Sequence, residues 1–260
     1  MSHPRGSLFL VPNTLDFHVG GPDALANLQE VLPLGTIRVA SRLTHWVAEN
    51  AKTTRAFLKR IDAVLPLIQP LQSIQIEELP RAPKGAKAGM ADAASSVEPL
   101  LAPLLQGHDM GLISEAGLPA VADPGSALVL AAHAQGLVVR ALSGPSSLLL
   151  ALAASGLNGQ SFAFVGYLPV DGAPRTLRIR ELEALSRRQN QTQLMIETPY
   201  RNQALLNGLL SALDAGTRLS ISCALTLQGG WSRTDQVAAW KSRPAQLSNE
   251  LPAVFALLAS

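Results

Sequence analysis

Gly111-Leu112-Ile113-Ser114-Glu115-Ala116-Gly117-Leu118-Pro119-Ala120-Val121-Ala122-Asp123-Pro124-Gly125 is the stretch whose reading sets the fold. With Met110 it begins as a four-residue apolar run, Met110–Ile113, of strand length. Small and turn-forming residues follow from Ser114 to Pro119. A second turn, Asp123-Pro124-Gly125-Ser126, opens a helix reaching to about Gln135. The pattern then repeats. Val138–Leu142 reads as a strand, and Ser143-Gly144-Pro145-Ser146-Ser147 as a tight turn into a helix that ends near Ala154. Strands alternating with helices at this spacing predict an α/β chain with mainly parallel sheets.

Working outward keeps the alternation. On the N-terminal side, Leu8–Val11 is a strand ending at Pro12, Ala24–Leu32 a helix and Thr36–Val39 a second strand. Phe57, Leu58, Ile61, Val64 and Leu65 follow the 3.6-residue period of a helix over Thr53–Leu65. Ile74–Leu79 reads as a strand, Pro80–Ala88 (with Arg81, Lys84 and Lys87) as a loop, and Ala91–Leu105 as a helix. On the C-terminal side come strand Phe162–Val165, helix Arg175–Arg188, strand Gln193–Ile196, helix Asn202–Asp214, and strands Arg218–Cys223 and Ala253–Leu258. So many strands predict two sheets joined near Leu142–Pro145. The expected domains are an N-terminal α/β domain, 1–142, and a C-terminal α/β domain, 143–260.

The 260 residues are 47% hydrophobic and 15% charged, which excludes a disordered chain. Twenty-one Lys and Arg against 19 Asp and Glu give a net charge of +2, excluding an overall basic coat but not a local patch. Mean hydropathy is +0.20. The most apolar stretch, Ala127–Leu157, is interrupted by His133, Gln135, Arg140 and Ser143–Pro145, so no run reaches the roughly 18 residues of a membrane span. The N-terminus lacks the apolar core of a signal peptide. A single cysteine, Cys223, excludes an internal disulfide, and with the missing signal it predicts a cytoplasmic location.

In open α/β sheets, ligands bind beyond the carboxyl ends of the strands. Three turns there have suitable chemistry: Ser114–Pro119, whose small residues let backbone N–H groups approach a ligand; Asp123-Pro124-Gly125; and Ser143–Ser147, at a helix N-terminus. Each also reads as an ordinary strand-to-helix turn. Neither G-x-G-x-x-G nor G-x-x-x-x-G-K-[ST] occurs, which disfavours a nicotinamide enzyme and a nucleotide hydrolase. No G-x-S-x-G elbow is present. His3, His18, His45, His108 and His133 have no ligand spacing, so no metal is expected. Cys223 reads as a buried, inert thiol.

Six segments, in order, resemble one family. Gly111–Gly125 is similar to "LVSDAGTPLISDPG", Leu142–Ser147 to "LPGPSA", Val165–Pro169 to "GFLP" and Ile196–Arg201 to "YEAPHR". Ala48–Arg55 is similar to "AEDTRHTR", and Leu10-Val11-Pro12 to the start of "VVPTPIGN". The chain thus resembles the S-adenosylmethionine-dependent tetrapyrrole methylase superfamily, nearest its ribosomal RNA small subunit methyltransferase I branch, from about Leu8 to Thr226. The resemblance implies two α/β domains with a cofactor cleft between them (a class III methyltransferase) and a homodimer. Carried over by position, S-adenosylmethionine would contact Pro12, Ser114, Glu115, Ala116, Gly117, Val121, Ala122, Ser146, Ser147, Leu168, Leu225 and Thr226. The branch methylates a ribose 2′-hydroxyl of RNA, so an RNA substrate is expected.

The chain departs from the family in places. "PTPIGN" is here Pro12-Asn13-Thr14-Leu15-Asp16-Phe17, Asn50 replaces an Asp, and the late "RELTK" is Cys223-Ala224-Leu225-Thr226-Leu227. The cofactor side is better kept than the substrate side. A tetrapyrrole or other small-molecule methyltransferase and a non-catalytic cofactor-binding paralogue therefore stand as alternatives.

Glu49, Arg55, Glu197 and Arg201 are the candidate catalytic residues. An oxygen acceptor needs a base, for which Glu49, Glu115 and Glu197 qualify. Glu115 is the better cofactor contact, and Glu197 equally suits an ion pair with Arg201. Arg55, Arg201, Arg175, Arg178, Arg180, Arg187 and Arg188 read either as phosphate contacts or as salt-bridged and solvated side chains. Trp231 reads as a base-stacking or an interface aromatic.

Overall fold

Met110–Ile113 is buried at all four positions and is the central strand of a five-stranded sheet. In the computed structural model, which describes residues 4–16, 27–80 and 96–260, that sheet belongs to a first compact unit of residues 4–16 and 27–145. Residues 146–260 form a second. Residues 24–26 of the expected helix Ala24–Leu32, the loop from Arg81 to Ala88 and the start of the helix expected from Ala91 lie outside the described residues.

The first unit runs β1 (Ser7–Leu10), α1 (Leu28–Val31), α2 (Leu34–Ala40), β2 (His45–Ala48), α3 (Ala51–Val64), β3 (Gln75–Glu78), α4 (Ala102–Leu105), β4 (Met110–Ile113), α5 (Ser126–Ala134) and β5 (Val138–Ala141). The strand order is β3-β2-β4-β1-β5, and every pairing is parallel. Phe57, Leu58 and Ile61 of α3 pack with Trp46 and Ile113 in one core, while Leu101, Leu104, Leu128 and Ala132 pack with Leu8, Val47 and Leu112 in another. Gly111 sits opposite Trp46 in the ladder, and a Cβ on it would lie 2.6 Å from the indole ring.

Thr36–Val39, expected as a strand, lies inside α2. Four residues carry too little period to separate strand from helix. Thr36, Ile37 and Ala40 are buried, at helical spacing, and the Thr36 and Ile37 amides donate to Pro33. The strand is instead His45–Ala48, where His45 and Trp46 break the look of an apolar run.

The second unit runs α6 (Ser147–Ser155), β6 (Phe162–Tyr167), α7 (Gly172–Gln189), β7 (Thr192–Glu197), α8 (Asn202–Ala212), β8 (Arg218–Cys223), β9 (Trp231–Gln236), α9 (Val237–Ser242) and β10 (Ala253–Leu258). Its sheet order is β6-β7-β10-β8-β9, and only β6–β7 is parallel. The expectation of mainly parallel sheets holds for the first unit and fails here. β10 runs antiparallel to both β7 and β8, and β9, for which no strand was expected, pairs back on β8 from Cys223↔Trp231 to Arg218↔Gln236. The side-chain hydrogen bonds of β9 to β8 join hydroxyls. Ser232 bonds Ser222 at 2.8 Å, and the Thr234 hydroxyl, which donates to the Ser155 carbonyl, lies 2.8 Å from the Ser220 hydroxyl and accepts from it. A search for apolar runs passes over such a strand. Trp231 packs beside the unit's core, and Trp240 of α9 is fully buried, donating to the Leu219 carbonyl.

Candidate functional site

β1 and β4 are neighbours, and the chain leaves both at the same level of the sheet. Beyond them Val11 N–H donates to the Leu112 carbonyl at 2.9 Å, and Asn13 N–H to the Gly117 carbonyl at 2.9 Å. The Asn13 side-chain amide donates to the Ser114 and Glu115 carbonyls at 3.1 and 3.0 Å. Gly117 has φ +65°, which glycine adopts freely, and a Cβ there would meet Leu15 at 3.3 Å. The loop Ser114–Gly117 is therefore fixed against the sheet. Ser114, Ala116 and Gly117 are buried and Glu115 is half-buried.

α3 closes the other side. Asn50 caps it, accepting from Lys52 and Thr53 N–H, which any Asp or Asn does at this position. The Asp-to-Asn departure from the family therefore keeps the cap. Thr53 donates its hydroxyl to Glu115 at 2.5 Å, and Glu115 N–H donates to Glu49 at 3.2 Å. Glu49, Glu115 and Asp123 thus gather at the carboxyl ends of β2 and β4. Burial, helped by the charges of Glu49 and Glu115, raises the Asp123 carboxyl to about 6. Asp123 was read only as part of a turn. Its place in the same motif as Glu115 was the available signal.

Among the described residues, Ala116 N–H makes no hydrogen bond, although Ala116 is only 7% exposed. A buried backbone donor left over in a strand-end loop suits a ligand acceptor. Val121 and Ala122 lie exposed on the continuation of the loop, where Ala120 and Ala122 hold φ of 65° and 64°. Such values are costly for residues with a Cβ. Pro12 is buried against Gly144, whose Cβ would fall 2.2 Å from the ring. Arg55 stays exposed on α3, donating to the Ala51 carbonyl.

In the second unit, Ser146 is buried and precedes α6, and Ser147 opens the helix. Leu168 belongs to the larger core, and Leu225 packs against the group containing Leu148, Leu152 and Val254. Thr226 is exposed with φ 68°, and Ala224 has φ 54°. Four of the five left-handed non-glycine residues among the described ones thus lie in the two segments Ala120–Ala122 and Ala224–Thr226, each of which holds expected cofactor positions. Glu197 pairs with Arg201 at 2.9 Å, its carboxylate also accepting from Thr198 N–H at 2.8 Å. That ion pair is one of the two readings left open for Glu197. Arg178 pairs with Glu181, and Arg187 with Asp214. Cys223 is buried, and burial pushes its thiol up. Among the described residues, no group of His, Cys, Asp and Glu is arranged to hold a metal, and no helix is long and apolar enough to cross a membrane.

Comparison with known proteins places the chain in a family. The ribosomal RNA small subunit methyltransferase I of Mesorhizobium japonicum is 39% identical over 127 residues, 49% of this chain and 42% of that protein. Its namesake in Halalkalibacterium halodurans is 27% identical over 209 residues, 80% of this chain and 61% of the relative. The matches thus span about half the length of these curated relatives. Two solved structures share the fold. The methyltransferase CobJ has a TM-score of 0.54 at 18% identity, covering 98% of this chain and 95% of that one. The native uroporphyrin III C-methyl transferase of Thermus thermophilus has 0.53 at 16%, covering 97% of each. Residues 36–240 match the family described as Tetrapyrrole (Corrin/Porphyrin) Methylases, and with motif order, fold and strand-end loop in accord, the chain belongs to that family.

Proposed function

We propose that this chain transfers a methyl group from S-adenosylmethionine to a ribose 2′-hydroxyl of RNA. The observation that carries the cofactor reading is the Ser114–Gly117 loop. It is held rigidly at the carboxyl ends of the central strands, with a buried Ala116 N–H that has no acceptor among the described residues. A ligand carrying a carboxylate, a hydroxyl or a purine fits such a donor beside small residues. S-Adenosylmethionine, when bound, supplies a methyl already activated on a sulfonium, so the protein's task is alignment and exclusion of water. Ala116 and Gly117 supply the close backbone, and exposed Val121 an apolar surface. Ser146, Ser147, Leu168, Leu225 and Thr226 are assigned to the cofactor by their place in the motifs.

The acceptor hydroxyl must lose a proton. Asp123, with a carboxyl at about 6, is the group we assign to take it, with Glu49 beside it. A base whose pKa lies near the working pH transfers protons best. Glu197 and Arg201, which form an ion pair, and Arg55, read as a phosphate contact, are assigned to the acceptor by their place in the motifs alone. RNA as acceptor rests on the names of the relatives. Exposed Arg180 and Arg188 on α7 offer further phosphate contacts. We read the protein as a cytoplasmic homodimer.

The test is transfer of labelled methyl from S-adenosylmethionine to ribosomal RNA purified from cells lacking this protein. Label at one ribose 2′-oxygen is the expected result. Binding of S-adenosylhomocysteine without transfer to that RNA would overturn the RNA reading. It would favour the non-catalytic paralogue if small-molecule acceptors, porphyrinoids included, also fail.

A further inference from the structure

We infer that Asn13 is a positioning residue that aims the Ala116 N–H at the cofactor; this rests on the cofactor reading above. Asn13 is 4% exposed and uses its amide fully. Its Nδ2 donates both protons, one to the Ser114 carbonyl at 3.1 Å and one to the Glu115 carbonyl at 3.0 Å. Its Oδ1 accepts from Thr14 N–H at 2.9 Å, which fixes which way the amide faces. Its backbone pairs with Gly117 in a one-residue antiparallel bridge.

The consequence follows from peptide geometry. In a trans peptide the C=O and the next N–H point in opposite directions. Drawing the Ser114 carbonyl toward Asn13 sends Glu115 N–H the other way, where Glu49 accepts it at 3.2 Å. Drawing the Glu115 carbonyl the same way sends Ala116 N–H away from Asn13, where no described residue accepts it. Two protons on one short side chain hold two successive peptide planes. Aspartate has none to give, serine and threonine have one, and glutamine is a methylene too long. In the segment that Pro12–Phe17 resembles, this position is a threonine. The chain thus carries a two-proton donor where the family pattern has a one-proton donor.

The experiment compares the wild-type protein with Asn13→Ala and Asn13→Ser. It reads S-adenosylhomocysteine affinity by calorimetry, thermal midpoint, and the backbone amide signals of isotope-labelled protein. In the wild type, Ala116 is expected to show a large amide shift on ligand addition. Asn13→Ala is expected to bind about tenfold more weakly and to lose that shift, and Asn13→Ser to fall between them. Amide signals of α5 and β5 should stay in place. Equal affinity in all three proteins would overturn the positioning role and leave the cofactor reading standing. So would a loss in which the midpoint collapses and amides change throughout the unit. If Asn13→Ala does not fold, Asn13→Ser decides by the same readouts. Failure of the wild type to bind would overturn the cofactor reading itself, and the inference with it.

Discussion

The hydroxyl of Thr53 lies 2.5 Å from a carboxylate oxygen of Glu115, joining the first turn of α3 to the loop after β4. The Asn50 carbonyl is a second acceptor at 3.0 Å, but the hydroxyl has one proton. The short distance and the negative charge give that proton to Glu115. Thr53→Val keeps the shape and removes the donor. It is expected to lower stability by about 1–2 kcal/mol, read by urea unfolding, because the half-buried carboxylate loses a charge-assisted bond. Thr53→Ser, which keeps the hydroxyl, should stay close to the wild type. A loss in Thr53→Ser with none in Thr53→Val would mean that the methyl group, and not the bond, matters.

Asp123 gives a pH signature of known sign. Its folded carboxyl is raised from 3.8 to about 6, first by burial and then by Glu49 and Glu115. Between those values the folded protein holds a proton that the unfolded chain has released, so stability falls as pH rises through the window. Asp123→Asn removes the effect. The variant should exceed the wild type by about 1 kcal/mol above pH 7, after allowance for partial exposure, and match it near pH 4. Chemical denaturation at the two pH values checks this. Under the function proposed above, the same variant should also slow methyl transfer, which separates the proposed proton transfer from the cost in stability.

How far the sequence could be read depended on the kind of signal. The first unit's strands β1, β4 and β5 are short apolar runs closed by Pro12, Ser114 and Ser143, and these were legible. Thr36–Val39 was not, because four residues of which three are β-branched suit either state until Pro33 and the burial of Ala40 decide it. β9 was not, because its side-chain hydrogen bonds to β8 are hydroxyl pairs. At the candidate site, motif residues Ser114–Gly117 could be named from the chain. Asn13 and Thr53 could not, since their roles exist only through bonds to a loop some sixty to a hundred residues away.

At the opposite end of the first sheet, His45 and His108 stack with ring centroids 4.7 Å apart. His45 opens β2, and His108 lies two residues before β4. Desolvation, with the nearby His108, lowers the His45 pKa from 6.5, and Glu77 on β3 partly opposes this. A folded pKa below the unfolded one means that stability is lost as pH falls below about 6.5. The sign is opposite to that of Asp123. His108→Phe keeps a stacked ring and removes its charge. Its thermal midpoint should therefore fall less between pH 7 and pH 5 than that of the wild type. Parallel profiles would show that the pair does not govern acid sensitivity.

Gly144 tests whether the turn into α6 is as tightly held as its contacts indicate. The preceding residue, Ser143, accepts a 2.7 Å hydrogen bond from Thr36 of α2 through its carbonyl. On the other side, a Cβ at Gly144 would lie 2.2 Å from Cγ and 2.3 Å from Cβ of Pro12, and 3.5 Å from Leu32. The pyrrolidine ring has little freedom to move, and Pro12 is buried where the chain leaves β1. Gly144→Ala must therefore push the turn and the Pro12 loop apart. Overpacking of this kind costs about 1–3 kcal/mol. For a chain of this length that is a fall in thermal midpoint of roughly 2–10 °C. Gly159→Ala is the control, because nothing lies within 4 Å of its Cβ position and its φ is not left-handed. Gly144→Ala should also weaken S-adenosylhomocysteine binding, because Pro12 and the adjoining Asn13 move with the turn, while Gly159→Ala should leave binding unchanged. A midpoint shift without a change in binding would separate the packing of Pro12 from the cofactor and remove Pro12 from the proposed contacts.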